Sequence, residues 1–285
     1  MTQGTPHTPV QAAASARPPA LDVRGLTCGY GSTPVLEDVG FSVAAGQVVV
    51  LLGPNGVGKT TLFRTVLGFL APLQGSASVC GHDISALSRR DLATLVAYVP
   101  QGHDAAFGFT AREMVLMGRT PALDAFSSPK AADDAIACAV IDRLGLAELA
   151  ERDCTTLSGG QLQLVLIARA LAQQPRLLIM DEPCASLDLG NQVRVLECVR
   201  ELAASGLAVV VTSHDPNHAL MLDAGVVCIA RSGIVAHGPA RSVLTPELLR
   251  GLYGVDVGLG TLHGADGRAQ DACVALMHPV DGQGA

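Results

Sequence analysis

The 285-residue chain contains no tryptophan, and aromatic residues of all kinds make up 3% of it. It also lacks any run of Lys or Arg: 19 basic residues stand against 26 acidic ones, a net charge of −7. A protein that lives on nucleic acid usually needs a clustered basic face, so that role is disfavoured. Although 49% of the residues are hydrophobic, the apolar runs are short, as in "VVVLLG" and "RLLIM". They fall well below the roughly 18 to 20 residues that cross a bilayer. The first twenty residues, rich in Ala, Pro and Thr, lack an apolar signal core and read as a flexible tail. No two of the eight cysteines stand two or three positions apart, and several lie in apolar segments. That pattern suits buried free thiols in a reducing compartment.

What is present is an alternation. From Leu21 onward short β-rich runs exchange with helical patterns, the signature of an α/β domain with a mainly parallel sheet. Strands are expected at 47–52, 95–100, 176–180, 207–212 and 225–230. Between about 103 and 165 the alternation lapses into successive helical patterns, read as a helical subdomain inserted into the core. The division expected is a tail at 1–20, one domain at 21–245 and an extension at 246–285. The extension is either a small hairpin turning at Gly264 to Gly267 or poorly ordered.

"GPNGVGKT" lies between the strand "VVVLLG" and a helical run and matches G-x-x-x-x-G-K-T. Gly53, Pro54, Asn55, Gly56, Val57 and Gly58 form a loop whose backbone N–H groups can curl around phosphates. The following helix start adds positive potential. Lys59 reaches the terminal phosphates, Thr60 is placed to ligate Mg²⁺, and Thr61 continues the cradle. "RLLIMDEP" is an apolar strand that ends in two acids, which should emerge at the carboxyl edge of the sheet beside that loop. Successive strand residues point apart and can take different roles. Asp181 would hold Mg²⁺ and Glu182 would polarise an attacking water. "TLSGGQ" then opens a second helix, with Ser158 as N-cap followed by Gly159, Gly160 and Gln161. A chain with one phosphate loop has little evident use for another anion-binding helix start.

The phosphate loop, "LSGGQ", "DEP", "SLD" and "SHD" occur in the order and spacing of ABC ATPases, and over residues 21–245 the chain resembles the nucleotide-binding subunit of an ABC transporter. The resemblance implies a P-loop NTPase fold of ABC type: a mainly parallel α/β core, an antiparallel β subdomain and an inserted helical subdomain. It implies ATP and Mg²⁺ as ligands and a head-to-tail dimer in which "LSGGQ" of one copy closes over the nucleotide of the other. By the same resemblance Tyr30 stacks on adenine, with an ordinary core or surface tyrosine as the alternative. Gln101 senses Mg²⁺ and water, Ser158 and Gly160 contact the γ-phosphate in trans, and Asp188 carries the coupling loop. His214 contacts the γ-phosphate and orients water. His214 and His218 form an i, i+4 pair, but "HDPNH" is not H-E-x-x-H and no third zinc ligand is evident. Cys184 and Leu164 depart from the more usual threonine and arginine without removing a catalytic group.

With no membrane span of its own, such a subunit is expected on the cytoplasmic face of the cell membrane. Its partners would be integral permease subunits and an external substrate-binding protein. "AYVPQ", "MVLMGRTP", "LDLGNQ" and "SHDPNHAL" resemble the subgroup that imports metal chelates: ferric siderophores, haem and cobalamin, with molybdate or tungstate also open. Phe107, Phe109 and Met114 would line the groove for a permease helix or pack within the subdomain. An exporter subunit and a soluble ABC ATPase outside transport stand as the alternatives.

Overall fold

The computed structural model describes residues 17–101, 108–124, 127–231 and 233–277. Most of the tail expected at 1–20 lies outside these residues, as do Phe107, the start of the expected helical subdomain and the last residues of the extension.

The chain begins with β1 (Leu21–Tyr30) and β2 (Thr33–Val43) and enters the core through β3 (Val48–Leu52) and α1 (Lys59–Val66). Strands β4 (Gln74–Val79) and β5 (His82–Asp83) return to the first two, and α2 (Arg89–Leu95) leads into β6 (Val96–Val99). Helices α3 (Ala111–Leu116), α4 (Ala131–Arg143) and α5 (Gly159–Ala172) follow. The core resumes with β7 (Leu177–Met180), α6 (Leu189–Ala204), β8 (Ala208–Ser213), α7 (Pro216–Met221), β9 (Gly225–Ala230) and β10 (Gly233–Pro239). Short helices α8 (Ala240–Val243) and α9 (Pro246–Tyr253) precede a hairpin of β11 (Val257–His263) and β12 (Ala269–Ala275).

Six strands form the central sheet in the order β10-β9-β3-β8-β7-β6. All pairs are parallel except β9 with β10, which runs antiparallel at the edge. Every residue of β3, β7 and β8 is buried, as expected of parallel strands covered on both faces. Because successive side chains alternate, each strand feeds two cores. Val48, Val50, Leu52, Leu178, Met180, Val209 and Val211 pack with α5, α6 and α7 on one face. Val49, Leu51, Leu177, Ile179 and Val210 pack with Leu62 and Phe63 of α1 and with the antiparallel sheet on the other. That second sheet is four-stranded, in the order β2-β1-β4-β5. The fold is thus a P-loop α/β core with an antiparallel β layer. All five strands expected from the sequence are present, with boundaries shifted by about a residue.

The helical segment has a core of its own, in which Ala111, Val115, Ala137 and Ile141 meet Val165, Ala168 and Ala172. Helix α5 joins this cluster to the main core, since Leu166, Ile167 and Leu171 on its other side belong to the latter. Buried Arg119 fastens the joint: Nε lies 3.0 Å from Asp133 Oδ1, and Nη1 donates to the Ala172 carbonyl at 2.8 Å. Met114 packs against this cluster, and the Phe109 carbonyl accepts from Cys154 N–H at 2.9 Å.

The strand order has one consequence for chemistry. Strands β3, β8, β7 and β6 are consecutive neighbours and point the same way, so the segments after their carboxyl ends line one edge. Those segments hold residues 53–61, 214–215, 181–182 and 101. Ile179 sits fully buried just ahead of the two acids. Ile179→Ala is expected to lower unfolding free energy by about 2–5 kcal/mol in denaturant titration.

Candidate active site

The phosphate loop is built by close packing. A Cβ on Gly53 would lie 2.4 Å from the Ile229 carbonyl oxygen, and Gly58, at φ +114°, has Leu36 Cγ 2.7 Å from where its own Cβ would be. No side chain caps the start of α1. Lys59 is buried, and its Nζ donates back to the carbonyls of Gly53 at 2.7 Å and Pro54 at 3.2 Å. Burial lowers its pKa, against the opposing pull of Glu182 and Asp181.

Asp181 and Glu182 leave β7 on the two courses expected of adjacent residues. Asp181 accepts from Thr60 Oγ1 at 2.9 Å and from Thr212 Oγ1 at 2.6 Å. Tyr98 also donates to it at 3.4 Å, and burial followed by the Asp181 charge pushes that phenol up to about 12. Glu182 takes a left-handed backbone, φ 45°, and its N–H donates to Thr212 Oγ1 at 2.8 Å. For a non-glycine residue that conformation costs of order 1–3 kcal/mol and persists only where surrounding contacts impose it. It aims the carboxylate at three others: Gln101 Nε2 at 3.1 Å, His214 Nδ1 at 3.4 Å and Lys59 Nζ at 3.9 Å. A cleft of about 110 Å³ beside Glu182, Cys184, Gln192 and His214 offers room for water.

Lys59, Thr60, Gln101, Asp181, Glu182 and His214 therefore meet at one sheet edge. Tyr30 stands at the end of β1, 47% exposed, with its hydroxyl accepting from Arg64 Nη1 at 3.3 Å. The "SGGQ" residues belong elsewhere. Ser158 caps α5 in a reciprocal box with Gln161, and Ser158 and Gly159 are exposed. Gly160 is buried, with Asn191 Cγ 2.2 Å from the position of a Cβ. Asn191 donates to Asp188 through its N–H at 2.8 Å and Nδ2 at 2.9 Å, so the Asp188 cap of α6 abuts the start of α5. Among the described residues no hydrogen bond joins residues 158–161 to residues 53–61. His218 is buried with Nδ1 2.9 Å from Ser213 Oγ. Among the described residues no group of three or more His, Cys, Asp or Glu is placed to hold a metal. Cys184 is buried, which pushes its thiol up to about 12 and leaves it a packing residue.

Thr212, which ties Asp181 to the Glu182 backbone, is the site residue that motif reading missed. The signal was available in "VVVTSHD", where Thr212 and Ser213 end a buried apolar strand.

Residues 36–185 match the ABC transporter family. The chain is 42% identical to the hemin import ATP-binding protein HmuV of Nocardia farcinica, covering 82% of each chain. It is 42% identical to the cobalamin import ATP-binding protein BtuD of Halobacterium salinarum over 85% of its own length, and spans 60% of that longer protein. Among solved structures, an inward-facing ABC transporter of metal-chelate type superposes with TM-score 0.80 at 32% identity, covering 91% of this chain and 98% of the other. The chain belongs to the ABC transporter family. It is an ATP-binding subunit of that family and an ATPase.

Burial lowers the pKa of His218 below its ordinary value near 6.5. The folded state therefore resists a proton that the unfolded chain accepts near 6.5, so stability falls as pH drops through 6.5 toward the folded pKa. His218→Asn, which lacks this titration, is expected to show a shallower loss of Tm between pH 7 and 5.5 than the parent protein.

Proposed function

We propose that the chain is the motor subunit of an importer for metal chelates, a ferric siderophore, haem or a corrinoid, with molybdate or tungstate also open. It would work as two head-to-tail copies on the cytoplasmic face of a separate membrane permease served by an external binding protein. The observation that carries the hydrolytic part is the Glu182 carboxylate, held among Gln101, His214 and Lys59 one residue beyond the Thr60–Asp181 pair. The chelate class is supported by relatives that import hemin and cobalamin. The peripheral location agrees with the absence, among the described residues, of any helix long and apolar enough to cross a membrane.

The donor set fits Mg²⁺. Thr60 Oγ1 and Asp181 Oδ2 are hard oxygen donors 2.9 Å apart, few enough that the remaining positions would go to nucleotide phosphates and water. Thr60 and Asp181 would hold the ion, Asp181 through water, with the side-chain oxygen of Gln101 as a further donor. When bound, the ion would neutralise charge on the β- and γ-phosphate oxygens.

The chain's own residues supply the rest. The N–H groups of residues 55–61 cradle the phosphates, and Lys59, released from the Gly53 carbonyl, meets the γ-phosphate. Tyr30 stacks on the adenine ring. His214 holds a γ-phosphate oxygen and fixes the direction of the attacking water. Glu182 accepts the proton of that water as its oxygen approaches phosphorus in line. Ser158, Gly159 and Gly160 come from the second copy, with Gln161 bracing their turn and Asp188 linking the two sites. Closure excludes bulk water and strengthens these charges. The exposure of Ser158 and Gly159, away from the chain's own phosphate loop, supports such a trans contribution.

Glu182→Gln tests the reading. Phosphate release should fall by more than a hundredfold, while light scattering shows a dimer in ATP·Mg²⁺ and a monomer without it. A variant that still hydrolyses ATP and never dimerises would remove both assignments.

A further inference from the structure

Strand β12 reaches back to the segment that follows His214. Strand β8 delivers Ser213, Asp215 caps α7, and Asn217 lies in the first turn of that helix. The Asn217 amide works in both directions: Nδ2 donates to the Cys273 carbonyl at 3.0 Å, and Oδ1 accepts from Cys273 N–H at 2.8 Å. The same Nδ2 donates to Asp215 Oδ1 at 3.0 Å, and the Asn217 N–H donates to that oxygen at 2.8 Å. Cys273 stands opposite Leu259 in the hairpin. Its N–H and C=O point away from β11, so the pair is of the non-hydrogen-bonded kind. The side chain of Asn217 therefore adds one peptide-like group to the free edge of β12, where a third strand would pair.

Both ends of this connection are fixed. Cys273 and Val257 pack against the main core, and Arg241 Nε lies 3.1 Å from Asp223 and 3.3 Å from Asp271 of β12. On the other side of His214, the Ser213 hydroxyl accepts from Asp215 N–H at 2.9 Å and lies 2.9 Å from His218 Nδ1. His214 stands between these two anchors with a side chain 55% exposed, resting on Glu182.

We propose that Asn217 is a positioning residue for His214, and that the C-terminal hairpin is the fixed point from which it acts. The inference rests on the reading of His214 as the γ-phosphate contact. The amide pair holds Asp215 and the first turn of α7 in place, so the backbone of His214 keeps one course while its imidazole moves between Glu182 and the nucleotide. Losing the pair frees that backbone, which degrades the geometry of attack and leaves the phosphate loop untouched.

The test uses the full chain carrying Asn217→Ala, Cys273→Pro, both together, or His214→Ala. Phosphate-release kinetics, ATP affinity and Tm are measured for each. Proline at 273 removes an N–H that faces α7 and not the β11 ladder, together with the thiol packed on the core. The expected result is a fall in kcat of about tenfold or more for either single variant, with KM for ATP within about twofold of the parent. The double variant should be no worse than Asn217→Ala alone, since that substitution already removes both bonds to Cys273. An unchanged kcat in Asn217→Ala, a fully additive double variant, or loss of ATP binding together with turnover overturns the proposal. His214→Ala separates the two readings. If it hydrolyses ATP normally, the role given to His214 fails; if it is inactive while Asn217→Ala is not, only the Asn217 connection fails.

Discussion

One hydroxyl, Thr212 Oγ1, sets the geometry of the acidic pair. It donates to the Asp181 carboxylate and accepts from the Glu182 backbone, so two adjacent acids are turned toward different partners. Without such a tie, two carboxylates at a strand end would splay into solvent, the ordinary fate of acidic residues there. With it, Asp181 faces Thr60 at the start of α1, and Glu182 takes a strained backbone that carries its carboxylate toward Gln101 and His214. The parallel register brings this about, since Met180 pairs with Val211 and so places Thr212 beside the residue that follows β7.

The rest of the fold serves that edge. Two cores clamp the sheet from opposite faces, so the ends of β3, β6, β7 and β8 cannot shift independently. The helical segment has its own small core and touches the sheet chiefly through α5, so the exposed Ser158 and Gly159 ride on a separately packed layer. Lys59 Nζ donates to its own loop. The reach toward a phosphate proposed for it would exchange those carbonyls for a stronger, charged partner.

Much of this was legible in the sequence because it is local. The loop at Gly53 to Thr60 needs glycines between a buried strand and a helix, and the acids of "RLLIMDEP" stand at the end of an apolar run that can only be a strand or a buried helix turn. Non-local pairings were not legible. Thr212 meets Asp181 across 31 positions, and Asn217 meets Cys273 across 56, through a strand that looked only weakly alternating. The close approach of Gly160 to Asn191 was not legible either, since it depends on how α5 and α6 pack. The extension after Leu244 was ambiguous because a two-stranded hairpin is marginal alone. It is held here by α7 and by Arg241, neither of which its own residues reveal.

The central claim is that one copy's "SGGQ" turn completes the nucleotide site of another. The most direct measurement is disulfide formation between two copies of different size in the Glu182→Gln background, one carrying Asn55→Cys and the other Ser158→Cys. The account predicts a link between the two chains that needs both introduced residues and appears only with ATP·Mg²⁺. No ATP-dependent link between the copies, together with a ready link when both cysteines are placed in one chain, would contradict it.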